Sequence, residues 1–181
     1  MSRLGDLLFF APQIPFSSVD LRGGGLPNQF FRRIDGFYLQ PAIELAHRRH
    51  DFAAGLMAVC AADALAGFIT GASGTTERMI AFFRRVPGLD DQDTAALFCD
   101  HFRNGLVHDA RVKYGSEFSV DLRGVAQRNG DRLVVNPLLL AKSVRRVLQD
   151  YRDRLNRDTA ELKSLRARIR RRFKVELELK S

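Results

Sequence analysis

Arg103, Asn104 and His108, in the run Arg103-Asn104-Gly105-Leu106-Val107-His108, are the residues of this 181-residue chain whose types and spacing suit one definite chemistry. A guanidinium grips phosphate oxygens in pairs. An imidazole takes and returns a proton near neutral pH. The Asn amide can orient either group or a substrate hydroxyl. Together they form a kit for acting on a phosphodiester without a metal ion. The chain holds 24 Arg and 4 His, so an Arg with a His five positions on is roughly an even-odds accident. Requiring one of the 5 Asn next to the Arg lowers the chance to about one or two in a hundred. At about 100° per residue, Asn104 and His108 stack on one helical face and Arg103 lies to one side. All three reach one phosphate only where the helix ends or loosens, and Gly105 permits that. The same residues also allow a structural role, in which Arg103 pairs with Asp100 or Asp109 and His108 ends its helix.

The elements that must position this run are legible from periodicity. Residues 1–30 read as an extended leader that packs on the rest, closed by Gly23-Gly24-Gly25-Leu26-Pro27. A first helix is expected from Arg32 to His50, with Ile34, Phe37, Tyr38, Ala42, Leu45 and Ala46 at helical spacing and a kink or break at Pro41. A second spans Phe52 to about Thr70, and Gly71 to Thr76 is a turn. A third runs from Glu77 to Val86 and stops at Pro87-Gly88. Asp90, Asp91 and Asp93 supply N-terminal acids for a fourth, which leads into the run. After it the period changes: Phe118 to Leu122 alternates, Asn129-Gly130 signals a turn, and Leu133-Val134-Val135 follows, predicting a β-hairpin over 117–135. Asn136-Pro137 starts a last helix that extends to about Arg172. Val144, Leu148, Tyr151, Leu155, Leu162, Leu165 and Ile169 follow a heptad pattern interrupted by Asp158. Its first half packs on its own bundle; its second half either does the same or meets a partner helix. Phe173 to Lys180 alternates and reads as a strand.

The run resembles the motif of the HEPN superfamily, α-helical proteins that include RNA-cutting toxins and defence effectors. That motif is an Arg, then usually Asn, Asp or His, then a few residues and a His. Arg103, Asn104 and His108 match it position by position, and the resemblance extends loosely from about Arg32 to Tyr151. It implies a mainly α fold, an HEPN-like helical bundle with a small β-hairpin and a long basic C-terminal helix. The expected organisation is a leader at 1–30, an HEPN-like domain at 31–155 and a basic extension with a terminal strand at 156–181. The resemblance further implies a homodimer with two motifs facing each other. The implied activity is a metal-independent endoribonuclease, in defence, stress or toxin–antitoxin function with a cognate regulator protein as a partner. RNA is the expected substrate, because the ribose 2′-hydroxyl is an internal nucleophile. His108 would move the protons, Arg103 would stabilise the added charge of the transition state, and Asn104 would hold the His or a phosphate oxygen, giving a 2′,3′-cyclic phosphate. The alternative is a non-catalytic HEPN-like dimeric module that binds nucleic acid or a partner protein.

Charge and composition narrow the classes. Hydrophobic residues make up 45%, ample for a core. Of the formal net charge of +8, a surplus of +9 lies between Lys142 and Lys174, where 13 basic residues face 4 acidic ones. That is the footprint of a polyanion binder, and Arg166, Arg168, Arg170, Arg171, Arg172 and Lys174 are the expected nucleic-acid contacts. A solvated helix face is the bland alternative; anionic lipid fits less well, with no Trp or broad apolar face beside the charge. Phe52 to Ala72 is almost uncharged, but Asp63 at its centre would cost about 2.5–3.5 kcal/mol in a bilayer, so a buried bundle helix is expected rather than a membrane span. Cys60 and Cys99 lack metal-ligand spacing and read as reduced core residues of a cytoplasmic protein. Leu7 to Phe10 is too short an apolar core for a signal peptide. Asp100, His101 and His108 match no usual metal site. Gly23 to Gly25 lacks the Lys-Ser/Thr of a phosphate loop. No cofactor is expected.

Overall fold

The computed structural model describes residues 2–4, 7–70 and 74–178. The fold is mainly helical with two small sheets. In chain order the elements are β1 (Ser2–Leu4), β2 (Leu7–Ala11), β3 (Ile14–Pro15), α1 (Leu26–Ile34), α2 (Gln40–His47), α3 (Asp51–Ile69), α4 (Thr75–Phe83), α5 (Gln92–Phe98), α6 (Gly105–His108), β4 (Glu117–Phe118), β5 (Ala126–Asn129), β6 (Arg132–Val135), α7 (Pro137–Leu155), α8 (Thr159–Arg172) and α9 (Lys174–Glu178). π-Helical turns join α1 to α2 at Asp35–Leu39 and α5 to α6 at Cys99–Asn104. Two compact units result: Met1–Phe37 with Leu148–Ser181, and Tyr38–Val147.

In the first unit, the leader forms an antiparallel β1-β2-β3 meander instead of an extended strap. Phe10, Phe16 and Phe173 meet with ring centroids 5.5–5.8 Å apart. The Arg33 guanidinium lies 4.6 Å from the Phe173 ring centroid and donates to the Phe10 carbonyl. This cluster explains a departure from the sequence pattern. Phe173 closes α8 as its C-terminal cap, and Lys174–Glu178 continues as the short helix α9 where alternation predicted a strand; Leu179 and Lys180 of that strand lie outside the described residues. The expected single helix to Arg172 is also two. Asp158 accepts from the N–H groups of Ala160 and Glu161 at 2.8 and 3.0 Å and so caps α8, a geometry Asp prefers to a helix interior. The heptad residues Leu148, Tyr151, Leu155, Leu165 and Ile169 are all buried within this chain.

The second unit carries the helices around Arg103. The expected helix from Arg32 to His50 is divided: α1 begins earlier, at Leu26, with Pro27 in its first turn, and a π turn precedes Pro41 at the start of α2. Proline has no N–H for the ladder, so the widened turn takes up the kink. α3 covers the apolar segment and packs against α2 and α4. By length and composition α3 would suffice to cross a membrane; here Ala54, Ala58, Ala61, Ala62 and Leu65 are buried in the bundle. Its small residues let neighbours approach closely: a Cβ at Gly55 would run into the Phe118 ring. Gly71, Ala72 and Ser73 of the expected turn lie outside the described residues. α4 runs from Thr75 and gives way to Gly88 at φ +78°. α5 is capped by Asp91, whose carboxylate accepts from the Thr94 N–H at 2.8 Å.

The hairpin is narrower than expected. β5 and β6 pair antiparallel around Gly130-Asp131, while β4 is only Glu117–Phe118 and runs parallel to β6. Asn136 is the reason that alternation from Phe118 to Leu122 does not become ladder. Its side chain, 4% exposed, donates to the Val120 and Leu122 carbonyls at 3.0 and 2.7 Å and accepts from the Leu139 N–H at 3.0 Å. Asp51 takes the Val120 N–H at 2.8 Å. One residue therefore caps α7 and holds a coil in place of a strand. Replacing it with Ala removes a cap and strands two carbonyls. Asn136→Ala is expected to lower unfolding free energy by about 2–4 kcal/mol, measured as a drop in urea midpoint; a change near zero would show these bonds to be dispensable.

Candidate functional site

Aromatic packing sets the site's orientation. Phe98 and Phe102 are fully buried and stack at 4.9 Å, with Phe83 4.3 Å from Phe98 and Phe118 4.7 Å from Phe102. With Phe102 anchored, the next residues of the π turn emerge toward the surface. Arg103 and Asn104 are half-buried and His108 is exposed. Asn104 has helical backbone angles and His108 sits four residues on, at the end of α6, so the two share a face one turn apart. The loosening that Gly105 was expected to permit takes the form of the π turn before it and the tight exit after it. The Gly105 carbonyl accepts from both Asp109 and Arg111 N–H groups. A Cβ at Gly105 would run into the Arg111 carbonyl oxygen.

Arg103 points inward. Its side chain is 18% exposed, it donates to Asn104 Oδ1 at 3.1 Å, and it pairs at 3.4 Å with Asp63 of α3. Its Nε is buried with no hydrogen-bond partner among the described residues. Asp63 had been legible only as a charge stranded in an apolar helix; the usable signal was that such a carboxylate needs a cation. Because Asn104 Oδ1 accepts from Arg103, its amide N–H groups are left to face another acceptor. The pairing of Arg103 with Asp100 or Asp109 is not what forms. Lys113 takes both carboxylates, at 3.6 and 3.4 Å. Burial opposes the Lys113 charge, but Asp109 and Asp100 outweigh it and hold its pKa above the ordinary lysine value. The His108 imidazole makes no hydrogen bond or ion pair among the described residues.

The neighbouring nucleophile candidates are structural. Burial pushes the Cys99 thiol up to about 12, despite the nearby Arg103 charge, and burial likewise raises Cys60. His101 is 3% exposed, and its Nδ1 lies 2.9 Å from Ser116 Oγ. The same oxygen also accepts from the Leu133 N–H at 2.9 Å. His101 thus ties the π turn to β6 through Ser116.

Comparison with protein-family models, curated proteins and solved structures finds no match. The expected catalytic residues Arg103, Asn104 and His108 lie together on one turn and a half of helix. Those expected to contact nucleic acid belong to the other unit and diverge around α8. Arg166 donates to the carbonyls of Arg22 and Gly23 at 3.0 and 2.6 Å, and Lys174 pairs with Glu178 at 3.7 Å. Arg168 is half-buried, while Arg170, Arg171 and Arg172 are exposed. Arg170 lines an open cavity of about 360 Å³ with Val19, Asp20, Leu21 and Arg22.

His101 makes the site's stability pH-dependent. Burial lowers its pKa below the ordinary 6.5. The folded chain resists a proton that the unfolded chain accepts, so this contribution is complete above pH 6.5 and declines as pH falls through the folded value. The wild-type urea midpoint is expected to drop between pH 7.5 and pH 5.5, and the drop to shrink in His101→Gln. Equal drops in both proteins would remove His101 as the cause.

Proposed function

We propose that the chain is a metal-independent endoribonuclease of HEPN type. The observation that carries this reading is the pairing of an exposed imidazole, His108, with an amide, Asn104, one helical turn away and oriented by Arg103. In the proposed reaction the ribose 2′-oxygen attacks phosphorus and the bond to the 5′-oxygen breaks. His108 accepts the 2′-hydroxyl proton, and a second His108 in a homodimer returns one to the leaving oxygen. Asn104 donates to a phosphate oxygen, and the Arg103 guanidinium favours the charge that builds on the phosphorane-like transition state. On the other unit, exposed Arg170, Arg171 and Arg172 offer phosphate contacts of their own. A cytoplasmic defence, stress or toxin–antitoxin setting with a regulator protein fits that activity.

One observation favours the second reading. Arg103 is held by Asp63 and only 18% exposed, which suits a non-catalytic HEPN-like dimeric module that binds nucleic acid or a partner protein while its motif secures the bundle. The two separate in one experiment. Purified protein with mixed-sequence RNA in EDTA is expected to cut, with activity lowered at least about 100-fold in His108→Ala and in Arg103→Ala. Binding without cleavage by all three proteins would favour the module.

A further inference from the structure

The loop that follows His108 carries a feature the proposed chemistry does not use. Tyr114 is 67% exposed, the largest exposure among the large apolar and aromatic side chains described as exposed. It also adopts φ +54°, a left-handed conformation that bulky residues avoid and that Gly or Asn would adopt freely. Gly115 follows at φ +69°. The turn is fixed from several sides. The Lys113 N–H donates to the His101 carbonyl at 3.0 Å, the Ser116 N–H to the Lys113 carbonyl at 3.0 Å, and Arg132 Nε to the Gly115 carbonyl at 3.0 Å. Within it, the Tyr114 ring lies against the buried His101 imidazole, centroids 4.8 Å apart and planes tilted by 52°, and most of the side chain is open to solvent. The left-handed backbone, which Gln13, Arg49 and Ala110 share elsewhere, here holds an aromatic ring out where a ligand can reach it.

Its placement says which function. The loop is tethered to the π turn at His101, through Lys113, and to Gly105, through the Arg111 N–H at 3.2 Å. Those two attachment points bracket Arg103 and Asn104. Arg111 is exposed and without an ion pair among the described residues. An aromatic face and a free guanidinium, three residues apart on a loop fastened to either side of a phosphodiester site, match the chemistry of a single-stranded nucleotide.

We propose that Tyr114 is a stacking platform for one unpaired base of the RNA substrate, with Arg111 meeting an adjacent phosphate. This rests on the ribonuclease reading, and it makes single-stranded RNA the substrate class. The platform tolerates any base and positions the chain; it transfers no proton.

The test measures binding, so it is independent of cleavage. A short single-stranded RNA, fully 2′-O-methylated and carrying one 2-aminopurine, is titrated with the full-length wild type and with Tyr114→Asn, Tyr114→Ala and Tyr114→Phe. Asn keeps the left-handed backbone without the ring, and Ala loses both. The expected result is about 5- to 100-fold weaker binding for both Asn and Ala, near wild-type binding for Phe, and 2-aminopurine quenching only with wild type and Phe. Tyr114→Ala should melt below Tyr114→Asn although the two bind alike, which separates backbone strain from stacking. Wild-type affinity in Tyr114→Asn, or no probe binding by the wild type, would overturn the platform. Ring-dependent binding with no cleavage of ordinary RNA by the wild type would keep the platform and sink the nuclease.

Discussion

The rest of the site depends on the burial of Phe98 and Phe102 side by side inside the helical bundle. Both rings are inaccessible to solvent and stacked, and both are extended by neighbours, Phe83 on one side and Phe118 on the other. A helix anchored by two large residues four apart has no rotational freedom left. Phe118 gains its place because Gly55 of α3 has no side chain to oppose it. With those positions fixed inward, the π turn at Cys99–Asn104 sets what faces out. The extra residue in that turn shifts Arg103 beside α3, where Asp63 receives it, and carries Asn104 and His108 onto the outer face.

Electrostatics then sorts the charges that crowd this short stretch. Lys113 pairs with both Asp100 and Asp109, and Arg103 pairs instead with Asp63. Arg103 is shared between Asp63 and Asn104 and braces the π turn against α3. Ser116 receives the Leu133 N–H and meets His101, so the one buried imidazole is satisfied without charge. The His108 imidazole stands exposed at the end of α6.

Local signals in the sequence were sufficient for much of this. The apolar spacing around Ala54 to Leu65, the Asp91 cap, the Asn129-Gly130 turn and the Asn136-Pro137 helix start each express a preference that tertiary packing did not need to override. Two of the failures turned on contacts between residues far apart in the chain, and a third on a local cap. Phe118 to Leu122 alternates like a strand, but Asn136 takes its carbonyls. Phe173 to Lys180 alternates as well, yet Phe173 is claimed by Phe10 and Phe16. The heptad face read through Asp158, whose capping bonds divide the helix. At the site, Arg103, Asn104 and His108 were visible because they are contiguous. Asp63, forty residues away, and the left-handed Tyr114 required the folded chain.

The central claim is that the substrate's own ribose hydroxyl is the nucleophile at a site built from Arg103, Asn104 and His108. Its most direct test is the chemistry of the ends when an RNA oligonucleotide and its counterpart with a single deoxyribose at the cut position are incubated with wild-type protein in EDTA. The account predicts a 2′,3′-cyclic phosphate and a 5′-hydroxyl from the RNA, and an intact bond at the deoxyribose position. Cleavage of both strands at equal rates, or 3′-hydroxyl ends, would contradict it.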